Sequence, residues 1–284
     1  MHTEDVLTRQ ERNVMTILPI EPASSHIAEP FDTVVGVDQN NVGLLADGSY
    51  VGALVEPDLI PPEMLPQITA ELDAVDDWAL YSQVSPPVPR LFPAAYSFMT
   101  EWGGLDWVGY TAERKRAEQQ LYRMPQLALA VQMLISHVAT ALQMPVMPAT
   151  CNGRPMAPFI LRDMTLGNPM HYDWATREAR HMLDQIFPTQ LSFLITLEQP
   201  KKGGECVVYD HQFHPRDAAV NSTFIHESVI ADDRSISLAP LPGTLYAFKT
   251  MNLHKVLAST GGRRTTISFF LGLDPFSNVL RIWA

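Results

Sequence analysis

Cysteine is nearly absent from this chain: Cys151 and Cys206 are the only two in 284 residues. Two thiols make no disulfide framework, so a small stapled scaffold is excluded and a reducing cytoplasm is the expected setting. Basic charge is also scarce. Twenty Lys and Arg face 31 Asp and Glu, for a net charge of −11. That balance argues against a nucleic-acid or anionic-membrane partner. No apolar run approaches the length of a bilayer span. The first residues, "MHTEDVLTRQERNVMTILPIEPASS", lack a basic start leading into a sustained apolar region, so no signal peptide is expected. Fixed-period repeats and low-complexity tracts are missing too.

What is present suits a globular protein: 46% hydrophobic and 18% charged residues, in a chain long enough for a sizeable core. No flexible linker divides it, so one domain over residues 1–284 is expected. Residues 1–145 read as a helical and mixed part with a lid, and residues 146–284 as a β-rich core. The first thirty residues read as an irregular arm. Phe31–Glu56 reads as short strands broken by Asn-Asn and Asp-Gly turns. Pro61–Val75 has proline in its first turn and apolar residues at helical spacing. The Pro-rich, aromatic stretch Ser85–Tyr110 reads as a long loop framing an entrance, together with Trp174–Arg180. Pro125–Gln143 is apolar nearly all round, which predicts a buried support helix with His137 packed in the core. After Pro145, nine short turn-separated segments run from "APFILRDMT" to "NVLRIWA", with "STFIHESVI" among them. They predict an antiparallel sandwich or barrel.

Within this β-rich part, "NPMHYDWATR" places His171 and Asp173 two residues apart. On an extended strand both side chains project from one face. A third partner is available in His254, which follows the strand "GTLYAFK" and precedes a short loop and the long strand "RRTTISFFLG". Two imidazoles and one carboxylate can occupy one face of an octahedral ion, which suits non-haem Fe(II) with open positions. Zinc would prefer a tetrahedral set, and the ligand types do not exclude it. His211 and His214 could form a second pair, but Pro215 and the polar surroundings favour a plain loop.

His171-Tyr-Asp173, the distant His254 and then Arg264 resemble the Fe(II)- and 2-oxoglutarate-dependent dioxygenase superfamily. "LSFLITLEQPKKGGECVVYD" is similar to that family's second core strand and the Gly-Gly-Glu turn after it. "LAPLPGTLYAFKTMNLHKVLASTGGRRTTISFF" resembles its passage from an apolar strand to the distal histidine and an Arg-x-Ser/Thr strand. The similarity spans roughly Phe159 to Gly272. It implies an α+β fold with a mainly β core: a double-stranded β-helix (jelly roll, cupin-like) with N-terminal support helices. It also implies Fe(II) held by His171, Asp173 and His254, with 2-oxoglutarate and O₂ as co-substrates. Arg264 would take the far carboxylate of 2-oxoglutarate, Thr266 would add a hydroxyl, and Ser192 and Thr196 would help.

The implied reaction oxidises an unactivated C–H of a small molecule, an amino acid or a biosynthetic intermediate, and releases succinate and CO₂. Arg162, Trp174 and Arg177 are the candidates to meet that substrate. The halogenating branch resembles the family but has a small residue where Asp173 stands. An alternative keeps the triad without Arg264's role: a cupin-like metal-dependent isomerase or hydrolase, or a ligand-binding protein. Strand alternation separates the two arginines. Arg264, Thr266, Ser268 and Phe270 share one face, and Arg263, Thr265, Ile267, Phe269 and Leu271 share the other.

Overall fold

The strand Thr265–Leu273 organises the molecule. It pairs antiparallel with Thr189–Thr196 on one side and with Ile160–Asp163 on the other. The computed structural model of the chain describes residues 31–48, 50–81, 84–101, 104–178, 182–217, 225–273 and 278–284. In it the sheet extends through Leu245–Lys249 and Val51–Glu56 to Asp32–Val35 at one edge, and through Val88–Leu91 to Ala79–Tyr81 at the other. Leu280–Trp283 and Val146–Pro148 join beside the organising strand to complete ten strands. A second sheet has four strands in the order Ser235–Leu238, Cys206–Gln212, Asn252–Val256 and Asn168–His171. The two sheets close on each other through Ala53, Leu194, Tyr246 and Phe248 of the larger and Cys206, Val208, Ile236 and Leu238 of the smaller. This is the sandwich that the strand pattern predicts, in the double-stranded β-helix form that the family resemblance implies.

The outer face of the large sheet is fully apolar. Leu191, Phe193, Ile195, Ile267, Phe269 and Leu271 pack in one cluster with residues of the helices Leu65–Asp73 and Pro125–Ala141. Leu127 and Leu134 of the second helix are completely buried there. Each such side chain contributes about 1.5–3 kcal/mol by leaving water. Pro125 starts that helix without a side-chain cap of its own. The Glu71 carboxylate supplies one instead, accepting from the backbone N–H of Gln126 (3.0 Å) and Leu127 (2.9 Å). Both halves of the chain therefore contribute to one core, with the support helices on its outside.

The N-terminal part departs from expectation. Gln39–Asp47 is a helix. The Asp38 carboxylate accepts from Asn41 N–H at its start, Gly48 closes it in the left-handed conformation, and Val42 and Leu45 are buried at helical spacing. Asp-Gly is thus a helix end, because the same residues serve C-caps and hairpin turns. Trp107–Leu121 is a helix as well, capped by Asp106, where a loop was expected to run to Tyr110. Its mostly polar sequence hid the apolar stripe. Within "STFIHESVI", Glu227–Ile230 is a 3₁₀ turn, and the neighbouring strand is Ser235–Leu238 instead. His137 lies half-buried at the rim of the core, its Nε2 3.9 Å from a Glu56 oxygen. The N-terminal arm lies outside the described residues. No single helix among the described residues is long and apolar enough to cross a membrane.

Candidate active site

The small sheet brings the two histidines together. His254 on Asn252–Val256 is the direct cross-strand partner of His171 on Asn168–His171, and their rings lie 4.2 Å apart. Asp173 sits just past the end of its strand and is pinned there. Its N–H donates to the Thr250 carbonyl (2.9 Å), and the Thr250 hydroxyl donates to the Asp173 carbonyl (2.8 Å). One Asp173 oxygen is 3.4 Å from His254 Nε2 and 3.8 Å from His171 Nε2. One ligand atom from each of the three residues lies within 4.8 Å of the other two.

The tautomers follow from the neighbours. His171 Nδ1 is 2.7 Å from the Pro169 carbonyl, and His254 Nδ1 is 2.9 Å from the Asn252 carbonyl. A carbonyl only accepts, so each Nδ1 carries the proton and each Nε2 lone pair faces Asp173. Burial and the His254 ring push His171 down to about 4, which leaves a neutral ligand at neutral pH. Burial works to raise the Asp173 carboxyl. The His254 and His171 rings and Arg162 outweigh it and hold it at about 2. Two neutral imidazoles with unprotonated Nε2 atoms, an ionised carboxylate and backbone carbonyls fixing both rings fit a divalent metal. Tyr172 points away and stacks on Phe213, with ring centroids 3.7 Å apart.

From this cluster a cavity with about 460 Å³ of free space extends into the barrel. His171, Asp173, His254, Ser192, Arg264, Thr266, Ser268 and Phe270 are on its wall. All four residues expected on the polar face of Thr265–Leu273 and its preceding arginine are among them. Arg264 is 3% exposed. Its Nε donates to the Gly204 carbonyl, and no carboxylate pairs with it among the described residues. Burial pushes this guanidinium below its ordinary range, so it is a desolvated cation awaiting an anion. That fits the dianion 2-oxoglutarate. Arg263 turns outward to Asp73 (2.6 Å) and Glu198 (2.8 Å). Thr196 lies across from Thr266 but is off this wall, fully buried with its hydroxyl unbonded.

A second cavity, about 630 Å³ to its open mouth, meets the first at Asp173, Arg162, Ser268 and Phe270. Tyr81, Ala94–Tyr96, Trp174, Glu178, Gln190, Phe270 and Trp283 shape it. Part of the expected lid is therefore on the wall, whereas residues 179–181 lie outside the described residues. Arg162 Nη2 donates to the Ser268 hydroxyl (2.8 Å), while its Nε and the Trp174 indole N–H are buried without acceptors. Arg177 is on neither wall. It lies over the Phe213 ring at 4.4 Å, because Trp174 and Glu178, one helical turn apart, face the cavity and Arg177 falls between them. Burial, followed by the Asp173 charge, pushes Glu178 up to about 8.

Asn168 and Tyr81, both on these walls, escaped the sequence reading. Asn168 donates toward His171 Nε2 (3.1 Å), and its side-chain oxygen is buried and unbonded among the described residues. Its place at the start of the His-x-Asp strand was the available signal. Tyr81 comes from a segment with no periodic cue, and Glu178 lies in the stretch expected at the entrance.

The family model described as carrier-protein-independent halogenase WelO5 matches residues 114–283, more than half of the chain. An L-gamma-glutamyl-L-propargylglycine hydroxylase from Streptantibioticus cattleyicolor is 28% identical over 201 residues, 70% of this chain and 75% of that protein. The crystal structure of an N-substituted L-amino acid dioxygenase from Burkholderia ambifaria, in complex with α-ketoglutarate, superposes with a TM-score of 0.53. It is 19% identical and covers 86% of this chain and 90% of that one. The triad and the buried Arg264 give the match its chemical sense: this chain belongs to the WelO5 family and is an Fe(II)- and 2-oxoglutarate-dependent oxygenase acting on a small molecule.

Proposed function

We propose that the chain hydroxylates an unactivated C–H of a free amino acid, a short amino-acid conjugate or a related biosynthetic intermediate. His171, Asp173 and His254 hold the iron. The observation that carries this reading is the convergence of three ligand atoms, one of them a carboxylate, beside a buried unpaired arginine. Asp173 separates the reading from halogenation, since its carboxylate fills the position that the halogenating branch leaves to halide. The relatives named as a hydroxylase and as an amino acid dioxygenase support the substrate class.

Each residue then has a task. Arg264 binds the far carboxylate of 2-oxoglutarate, since a planar fork suits a bidentate carboxylate. Thr266 and Ser192 offer hydroxyls along the same wall, and Arg162 closes it beside Asp173. Pro169 and Asn252 carbonyls keep both imidazoles in the tautomer that leaves Nε2 unprotonated. Bound iron, with 2-oxoglutarate and O₂, supplies the oxidising power, and the co-substrate leaves as succinate and CO₂. Phe270, Trp174 and Trp283 line the second cavity, hold the substrate beside Asp173 and exclude water from the reacting carbon.

The negative net charge supports a small molecule over a nucleic acid. A single domain is part of the proposal, supported by the core shared between the two halves. A cytoplasmic setting is part of it too, supported by two buried cysteines outside any disulfide. The test is a substrate screen by mass spectrometry with succinate as the common readout. Substrate-dependent succinate together with a product heavier by one oxygen is expected. A chlorinated product from the unaltered chain, or no visible charge-transfer band with anaerobic Fe(II) and 2-oxoglutarate, overturns the reading.

A further inference from the structure

The second cavity carries a guanidinium and a carboxyl group on separate parts of its wall. Arg162 stands where the two cavities meet, and Glu178 comes from the short helix Ala175–Glu178. Both line the cavity, yet no ion pair joins them among the described residues. Glu178 uses one oxygen structurally, accepting from the Trp174 N–H at 3.0 Å. Among the described residues no hydrogen bond reaches its other oxygen. Tyr81, Tyr96 and Trp174 line the same cavity, three rings whose faces can attract a cation. On the Arg162 side the unmet needs have the opposite sense. The Arg162 Nε and the Trp174 indole N–H are buried donors with no acceptor. A buried polar group without a partner costs free energy, so the wall as it stands suits a ligand that accepts at one point and donates at the other. Apolar ligands would satisfy neither.

Resting on the oxygenase reading above, we propose that Glu178 anchors a protonated amine of the substrate while Arg162 meets its carboxylate, so that the second cavity selects amphoteric ligands with a free amino group. The cavity's free space is about 630 Å³ when counted out to its open mouth. The neighbours agree with this assignment. Arg177 is turned onto Phe213; burial keeps Glu178 protonated while the cavity is empty, and an ammonium set against it favours the carboxylate, the proton leaving to solvent. Glu178 is a specificity residue in this scheme, since it grips the substrate away from the carbon that reacts.

The test uses the full chain, loaded anaerobically with Fe(II) and 2-oxoglutarate. The probes are L-2-aminohexanoic acid, its γ-glutamyl dipeptide, and the N-acetyl and C-amide forms of each, with binding followed by calorimetry. At least one free-amine, free-acid probe is expected to bind. N-acetylation and C-amidation should each weaken it by about tenfold or more, the weight of one charge-assisted hydrogen bond. Glu178→Gln should cost the free amine the same factor and leave the N-acetyl form unchanged, and Glu178→Asp should restore part of the loss. The comparison of probes on the unaltered chain does not depend on how a variant folds. If the 2-oxoglutarate charge-transfer band forms but N-acetylation changes nothing, or no free-amine probe binds, the amine anchor is wrong and the oxygenase reading stands. If the band itself fails to form, both fall together.

Discussion

The two cavities that meet at Asp173 are built differently. The co-substrate side stands on regular strands. Ser192, Arg264, Thr266, Ser268 and Phe270 come from two adjacent strands of the large sheet or the residue leading into one, and His171 and His254 from two paired strands of the small one. The substrate side is gathered from an edge strand (Tyr81), a 3₁₀ turn (Ala95, Tyr96), a four-residue helix (Ala175, Glu178) and the last strand (Trp283). Strands hold a shared chemistry in fixed register. Connections can change without disturbing that register, and they carry the features that distinguish one substrate from another. A family model named for halogenation and a relative named for hydroxylation fit the same frame on this view.

The sharpest way to break this comparison is at the shared wall. Asp173→Ala or His254→Ala should abolish succinate formation while circular dichroism and the melting transition stay close to those of the unaltered chain, because the sandwich core does not use the metal. Retained turnover in either variant would remove the triad assignment. Next in size is the co-substrate side. Arg264→Ala leaves a carboxylate of 2-oxoglutarate unpaired in a buried pocket, a loss of about 2–5 kcal/mol. At 1.4 kcal/mol per decade that is roughly 30-fold to several-thousand-fold in 2-oxoglutarate affinity. Titrating 2-oxoglutarate against the charge-transfer band measures it.

The substrate side should show the reverse trade. Glu178 is raised to about 8 from an ordinary value of 4.5. Folding therefore favours its protonated form, and the stability this group allows is fully present below pH 4.5 and is lost as pH rises toward 8. Glu178→Gln keeps an acceptor for the Trp174 N–H and removes the titration. Its melting temperature should exceed that of the unaltered chain, with the gap widening from pH 5 to pH 8. A gap that narrows over that range would refute the buried-carboxylate picture. The smallest effect belongs to Arg263→Ala. Its partners are partly exposed, so at most about 1 kcal/mol of stability should go, with the 2-oxoglutarate titration unchanged.

Legibility in the sequence tracked the same division. Strand alternation is a strict period of two, so "HYD" and "RRTTISFF" announce which side chains travel together, and the resemblance to a known family then implied the ligands and the role of Arg264. The apolar helix Pro125–Ala141 was readable for the same kind of reason. Gln39–Asp47 was misread because Asp-Gly serves both a hairpin and a helix end. Trp107–Leu121 was missed because its polar surface swamps the few buried positions, Tyr110 and Ala117. Arg177 was expected at the substrate and turned to Phe213. A one-residue difference along a helix swings a side chain by about 100°, which a motif without known helix phase does not resolve.

By itself the sequence determined the β-rich core and which side chains share a strand face, since both follow from local periodicity, whereas the metal-ligand set and the arginine for the co-substrate were read from the resemblance to a known family. Only the tertiary structure decided what shares the second cavity. Tyr81, Tyr96, Arg162, Glu178 and Trp283 are far apart in the chain and become neighbours through the packing of separate connections on the sheet edge and mouth. No local pattern encodes that meeting, because it depends on the relative placement of elements whose own sequences are satisfied by many arrangements. The charge of Glu178 shows the physical reason most plainly. A glutamate in a short polar helix is unremarkable until its neighbours remove it from water, and burial, a property of the assembled fold, is what lifts its proton affinity.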